Sequence, residues 1–408
     1  MNPATSLNTP HRYDILDILR GVALLGICLA NFGELSLYTF QGPQVTSAMA
    51  SADIDRVIGF ARYFLIDGKF YTLFSLLFGI GFSIILANGK AKGKSGIGVF
   101  YRRMAVLAVI GLMHLVLLWA GDILLLYAGL GMLLPLFRKT PDGRLLLFAG
   151  ILLFLPVIID AFSALTGGRF SPMALINEAV SYFHAKAGIT PDNFGIWLRE
   201  GASYTDVLKF NMAGSFIRCG EFIEGNRVFK VLGLFLLGLY IGRKRLFADL
   251  KNNTRLLVRV RNWGFTAGVP LSLLYAWNAV SHGPLGTVGG SAVYAFSVVP
   301  MGLAYAATLC LWYDRSKNKR GFKPWAMTGR MALTNYIGQS VAGMALYYGI
   351  GMALGGTMGL IYVEVVALVV FTFQMLSSNI WLRYFRYGPL EWVWRMLTYG
   401  KTLDLMKR

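Results

Sequence analysis

The sequence predicts an all-α fold, a polytopic integral membrane helix bundle of about ten transmembrane helices. Three observations predict it. The 408 residues are 56% hydrophobic and only 14% charged, whereas a soluble domain carries about 25% charged residues. Apolar stretches close to the roughly 20 residues that span a bilayer recur along the chain. The basic residues gather in alternate connections between those stretches, as cytoplasmic loops do. Disorder is excluded by the same apolar, aromatic-rich composition. The formal net charge of +19 would suggest nucleic acid in a soluble protein. Here it reads as orientation, and no nucleic-acid partner is expected.

The predicted spans are 18–40, 69–87, 104–119, 123–137, 145–165, 228–241, 263–279, 291–313, 331–353 and 358–381. The third, fourth and sixth are short for a full crossing. Residues 1–10 are polar and no small-residue cleavage site follows the first apolar run, so that run is expected to be retained rather than cleaved. Five segments (88–103, 138–144, 243–261, 314–330 and 382–408) hold 27 of the 39 Lys and Arg residues. Lys92, Lys94 and Arg408 are among them. The connections near 120–122, 281–290 and 354–357 hold none. This alternation predicts cytoplasmic N and C termini, and an odd span count would spoil it.

Residues 1–408 are therefore read as a single membrane domain. Within it, residues 166–227 form a long outer connection with six basic residues, Arg169 included, and six acidic ones. Apolar residues recur at helical spacing in 174–184 and 207–217, which predicts an extracytoplasmic helical loop. The stretch 54–66 is amphipathic and is expected at the outer interface. Cys28, Cys219 and Cys310 are too widely spaced for a metal or disulfide framework, and no metal is expected.

Ionisable groups inside spans are costly, so each is a functional hypothesis. His114 and Asp122 stand on neighbouring antiparallel helices joined by two or three residues and can face one cavity. A neutral histidine is a general base near pH 7, and a carboxylate can fix its tautomer. The plainer reading also stands: Asp122 caps a helix and His114 bonds a carbonyl. Asn31 and Glu34 lie near the outer end of the first span. Asn335, Tyr336, Gln339 and Ser340 share one helical face, which either glues helices or lines a pocket. Lys69 reads as a snorkelling lysine at a helix start. Glu364 needs a partner. Glu391 and Arg395 are spaced for an i, i+4 pair. Arg102 and Arg103 flank the His114 helix on the basic side and are either topological charges or phosphate contacts. The glycines of Gly79-Ile80-Gly81 are weak signals for close helix packing.

These landmarks, in this order, resemble the YeiB family of bacterial inner-membrane proteins. The residues carrying the resemblance are Asp17-Ile18-Leu19-Arg20-Gly21, Leu76-Leu77-Phe78-Gly79-Ile80-Gly81-Phe82, and His114 with Trp119-Ala120-Gly121-Asp122-Ile123-Leu124. They continue with Gly329-Arg330-Met331-Ala332-Leu333-Thr334-Asn335-Tyr336 and Gly388-Pro389-Leu390-Glu391-Trp392. That family is distantly similar to the lysosomal heparan-alpha-glucosaminide N-acetyltransferase and other transmembrane acyltransferases, in which an intramembrane histidine is central. The resemblance implies a transmembrane-acyltransferase-like bundle using acyl-CoA (acetyl-CoA) as donor. Arg102 and Arg103 would meet its phosphates, and His114 oriented by Asp122 would act as the catalytic pair. Asn31, Glu34, Asn335, Tyr336 and Gln339 would line the acceptor pocket. The expected partners are membrane lipids and a small-molecule or glycan acceptor, and a homodimer is compatible with this reading. The alternative is a transporter or exporter of a small anionic or lipid-like molecule with an intramembrane proton relay. The absence of a convincing repeat between the halves counts modestly against it.

Overall fold

A computed structural model describes residues 13–91, 93, 95–168 and 173–407. The polar N-terminal stretch, Lys92, Lys94, Arg169 and Arg408 lie outside the described residues. Among those described, the chain is helical with no strand beyond an isolated bridge between Phe385 and Met406.

The chain opens with α1 (Asp14–Leu35), where Arg20 pairs with Asp17 one turn away at 2.7 Å. Short α2 (Pro43–Ser47) precedes α3 (Ala52–Leu65) and α4 (Lys69–Ala91). The break between α3 and α4 falls at Gly68, whose φ of 75° suits glycine. Then come α5 (Ile97–Met113), prolonged by a π-helical turn over His114–Leu118, and α6 (Leu124–Gly131). Helix α7 (Asp142–Leu165) leads into α8 (Met173–Ala187), α9 (Trp197–Glu200) and α10 (Tyr204–Glu224). The second half holds α11 (Arg227–Arg243), α12 (Thr254–Val280), α13 (Gly286–Arg315), α14 (Lys323–Arg330), α15 (Ala332–Tyr347), α16 (Leu360–Tyr384) and α17 (Pro389–Tyr399).

Each predicted span contains helix. Among the described residues, six stretches are long and apolar enough to cross a membrane: α1, α3 with α4, α5 with its π turn, α7, α13 and α16. Helices α11 and α15 have 17 and 16 residues. Helix α12 has 27, but Arg255, Arg259 and Arg261 occupy its first turns. The outward surfaces of α7 and α16 are apolar, with Ile158, Phe162, Val369 and Phe373 all more than half exposed. Such surfaces suit lipid and would be poor in water. This is a membrane protein.

One buried core joins α1, α15 and α16 through Leu24, Cys28, Phe32, Tyr347 and Phe371, and reaches Val207 and Phe210 of α10. A second joins α4, α5, α6 and α11 through Phe82, Phe100, Tyr127 and Phe235. Glycine permits the closest crossings. A Cβ on Gly79 would lie 2.1 Å from the Phe235 carbonyl oxygen, and one on Gly329 would lie 1.9 Å from that of Asp17. Gly81, by contrast, faces open space.

Three polar expectations resolve differently. Glu364 gains a partner in Arg62, whose Nε lies 3.1 Å from Oε1 and ties α3 to α16. Lys69 does not snorkel. It is fully buried and donates at 2.6 Å to the carbonyl of Tyr63, in the last turn of α3, which the break at Gly68 brings back over the ammonium. Glu391 turns away from Arg395. Its carboxylate accepts from the backbone N–H groups of Leu333 and Thr334 at 2.7 and 3.1 Å and from the Thr334 hydroxyl at 2.6 Å. The first amides of α15 have no acceptor within their own helix, and α17 supplies one. Burial raises the Glu391 carboxyl above its ordinary range, opposed by those hydrogen bonds. Arg395 lies over the Tyr387 ring instead.

Candidate active site

Helix α5 ends irregularly. The Trp119 N–H donates to the His114 carbonyl at 2.9 Å, five residues back, which widens the last turn. Trp119 is then extended, with φ −156° and ψ 127°. Widened turns of this kind are rare and recur at functional sites. The turn carries His114 into the protein interior and leaves the last carbonyls of the helix short of backbone donors.

Asp122 follows in the short link to α6 and serves two neighbours. Its Oδ1 accepts the Leu125 N–H at 2.7 Å, satisfying an amide at the start of α6. Its Oδ2 lies 2.8 Å from His114 Nδ1. On the other side of the ring, His114 Nε2 lies 2.8 Å from the Ser340 hydroxyl of α15. His114, Asp122 and Ser340 are 1–2% exposed. A carboxylate only accepts, so a neutral His114 carries its proton on Nδ1 and presents a lone pair at Nε2. The Ser340 O–H therefore donates to it.

The surrounding wall is aromatic and charged. The Tyr336 ring sits 5.2 Å from the imidazole and that of Trp119 6.3 Å. The Tyr336 hydroxyl reaches the Gly121 carbonyl at 3.5 Å. Helix α10 covers the π turn and donates to its carbonyls. Tyr204 Oη reaches Leu117 at 2.5 Å, Asn211 Nδ2 reaches Val116 at 3.2 Å, and Arg218 Nε reaches Ala120 at 3.1 Å. Arg218 also pairs with Glu34 at 3.0 Å and Glu221 at 2.5 Å. Burial pulls its guanidinium down, but the two carboxylates outweigh that and hold it above its ordinary value.

His114, Asp122 and Tyr336 thus lie together, and Glu34 joins them through Arg218. Asn335 and Gln339 point elsewhere. Asn335 Nδ2 bonds the Thr328 carbonyl and Ser378 Oγ, and Gln339 Nε2 bonds Gln374 Oε1, so both lock α15 to α14 and α16. Asn31 is half-buried on α1, and no described hydrogen bond ties it to His114. Arg103 lies over the Trp394 indole at 3.7 Å, while Arg102 is exposed at the same end of α5. The sequence reading missed the parts played by Ser340 and Arg218. Ser340 stood out only as one polar residue on the Tyr336 face, and Arg218 only as a loop charge. Among the described residues, no group of three or more His, Cys, Asp and Glu side chains is arranged to hold a metal ion.

The chain is 28% identical to the uncharacterized protein YxaH of Bacillus subtilis, over 98% of this chain and 97% of that one. It is 28% identical to the uncharacterized protein YeiB of Escherichia coli, over 94% and 95% of the two chains. Both likenesses extend along nearly the whole chain. An uncharacterized 39.9 kDa protein of Bacillus acidopullulyticus is 29% identical over 97% of this chain and 96% of its own. A family described as a protein of unknown function, DUF418, matches residues 241–401. That segment holds Ser340 and Tyr336, while His114 and Asp122 precede it. No solved structure matches.

Proposed function

We propose that this YeiB-like protein is a membrane-embedded acyltransferase. It moves an acyl group, acetyl in the simplest case, from acyl-CoA to an acceptor hydroxyl or amine. The observation that carries the reading is the buried chain from Asp122 through His114 to a hydroxyl. An imidazole oriented by a carboxylate and facing an O–H is a general-base arrangement, worth about 10²- to 10⁴-fold in rate. The aromatic wall keeps bulk water from the base, which favours transfer over thioester hydrolysis.

The arrangement in the bacterial inner membrane follows from the charge pattern. In this reading ten helices cross, both termini are cytoplasmic, and the 166–227 connection caps the outer side. Acyl-CoA comes from the basic inner face. Arg102 is the better phosphate contact, because Arg103 is already stacked on Trp394. Arg218 and Glu34 border the acceptor side.

The test is His114→Gln, whose amide still donates to Asp122. The purified protein in proteoliposomes is given acetyl-CoA and a panel of amines and sugars, and thiol release and acylated product are measured. Transfer by the wild type is expected to fall at least about 10²-fold in the variant while thermal unfolding stays close to wild type. Full activity in a folded His114→Gln protein overturns the mechanism.

A further inference from the structure

The polar chain ends on a serine whose hydroxyl does not fold back onto its own helix. Thr308, Thr372 and Thr398 donate to the carbonyl four residues back, at 2.7, 2.7 and 2.6 Å. That is the ordinary resting contact of a hydroxyl inside a helix. Ser340 instead reaches across 226 positions of sequence to His114 Nε2. The proton it donates points at the lone pair of a base whose tautomer is fixed from behind by Asp122. A nucleophile, a base and an orienting carboxylate in hydrogen-bonded series are recognised by geometry, whatever their order in the chain.

Resting on the acyltransferase reading, we propose that Ser340 is the nucleophile that carries the acyl group between donor and acceptor. The alternative of direct transfer requires the acceptor to take the place at Nε2 that Ser340 holds. In the first step Ser340 Oγ attacks the thioester carbonyl carbon as its proton passes to His114 Nε2. A C–O bond forms, the C–S bond breaks, and the proton goes to the departing thiolate. The products are an ester on Ser340 and a free thiol. In the second step the acceptor hydroxyl or amine gives its proton to Nε2 and attacks the ester carbonyl. The bond to Ser340 Oγ breaks, and His114 returns the proton to the serine. No oxidant or other co-reactant is needed.

The experiment uses the full chain in detergent micelles and two probes. The first is a small alkyl fluorophosphonate, which phosphonylates activated serines and needs neither donor nor acceptor. Peptide mass spectrometry is expected to find the label on Ser340. The label should vanish in Ser340→Ala and fall at least about 10²-fold in rate in His114→Gln. The second probe is acetyl-CoA without acceptor, expected to leave an acetyl ester on Ser340. Ser340→Cys, which keeps a nucleophile at the position, should trap a thioester if the alanine variant folds poorly. An unlabelled Ser340 in folded wild-type protein overturns the proposal, and so does labelling of equal rate in His114→Gln. Acyl transfer that survives Ser340→Ala overturns the serine and leaves the acyltransferase reading standing. A labelled Ser340 in a protein that cleaves no acyl thioester overturns that reading and, with it, the role of Ser340 as acyl carrier.

Discussion

Asp122→Asn tests the site most sharply, because it changes a proton inventory without changing shape. In the wild type, Oδ1 takes the Leu125 N–H and Oδ2 takes the His114 Nδ1–H, at 2.7 and 2.8 Å. Asparagine has one acceptor and one donor group for these two donors. If its oxygen faces His114, its NH₂ confronts the Leu125 N–H, and a buried donor is left unsatisfied at about 1–3 kcal/mol. If its oxygen faces Leu125, its NH₂ donates to Nδ1 and the imidazole proton moves to Nε2. The Leu125 N–H and both imidazole nitrogens are then paired, with Ser340 turned into an acceptor, at a folding cost of about 1 kcal/mol for the lost charge-assisted bond. The second arrangement is favoured. It leaves no lone pair at Nε2, so the site cannot take a proton from Ser340. Loss of the correct tautomer costs on the order of 10⁴-fold in kcat in serine hydrolases, which is about 5.4 kcal/mol of transition-state stabilisation. The assay is thiol release from acetyl-CoA, read beside thermal unfolding of the same preparation. A variant within about tenfold of wild-type rate, at unchanged stability, would show that the tautomer does not matter and refute the reasoning.

Two further outcomes follow from the packing. Arg218→Met keeps the stem but strips partners from the Ala120 carbonyl and Glu34. It should lower stability by about 1–3 kcal/mol, less than for a wholly buried pair because the Glu34 and Glu221 side chains are 35% and 40% exposed. Adding Glu34→Gln to it should cost less than the sum of the single changes, and strict additivity in thermal unfolding would deny the coupling. Gly329→Ala places a Cβ 1.9 Å from the Asp17 carbonyl oxygen at the α1–α14 crossing, where only backbone could yield. It should cost about 1–3 kcal/mol or more. Gly81→Ala meets nothing within 4 Å and should be neutral or stabilising by up to about 1 kcal/mol. Equal melting temperatures for the two alanine variants would contradict the crossing.

What the sequence revealed depended on distance along the chain. Helices α1, α4, α7, α13 and α16 were legible because each is a sustained apolar run, a local property. The His114–Asp122 pair was legible because eight residues and one turn separate its members. Ser340 and Arg218 were not, since their partners lie 226 and 184 positions away and one sequence holds no record of such pairings. The Glu391–Arg395 expectation failed for a related reason. Spacing along one helix predicts an exposed pair worth a few tenths of a kcal/mol. It does not see the amides of Leu333 and Thr334, which have no other acceptor and draw Glu391 to α15 instead.

The 166–227 segment follows the same logic, and its helix α10 bears directly on the chemistry. A helix that ends in a π turn leaves its last carbonyls short of backbone donors, and a buried one left unpaired costs about 1–3 kcal/mol. The carbonyls of Val116, Leu117 and Ala120 accept from side chains of α10, namely Asn211, Tyr204 and Arg218. Asn211 and Arg218 lie seven residues apart, which puts them on one face of that helix. Arg218 goes on to Glu34 of α1, so one buried cation fastens three elements around His114. The irregular turn that aims the imidazole at Ser340 therefore needs the loop to be folded and seated. Helix α10 is part of the site's framework, and a change in its seating disturbs the π turn that begins at His114 itself.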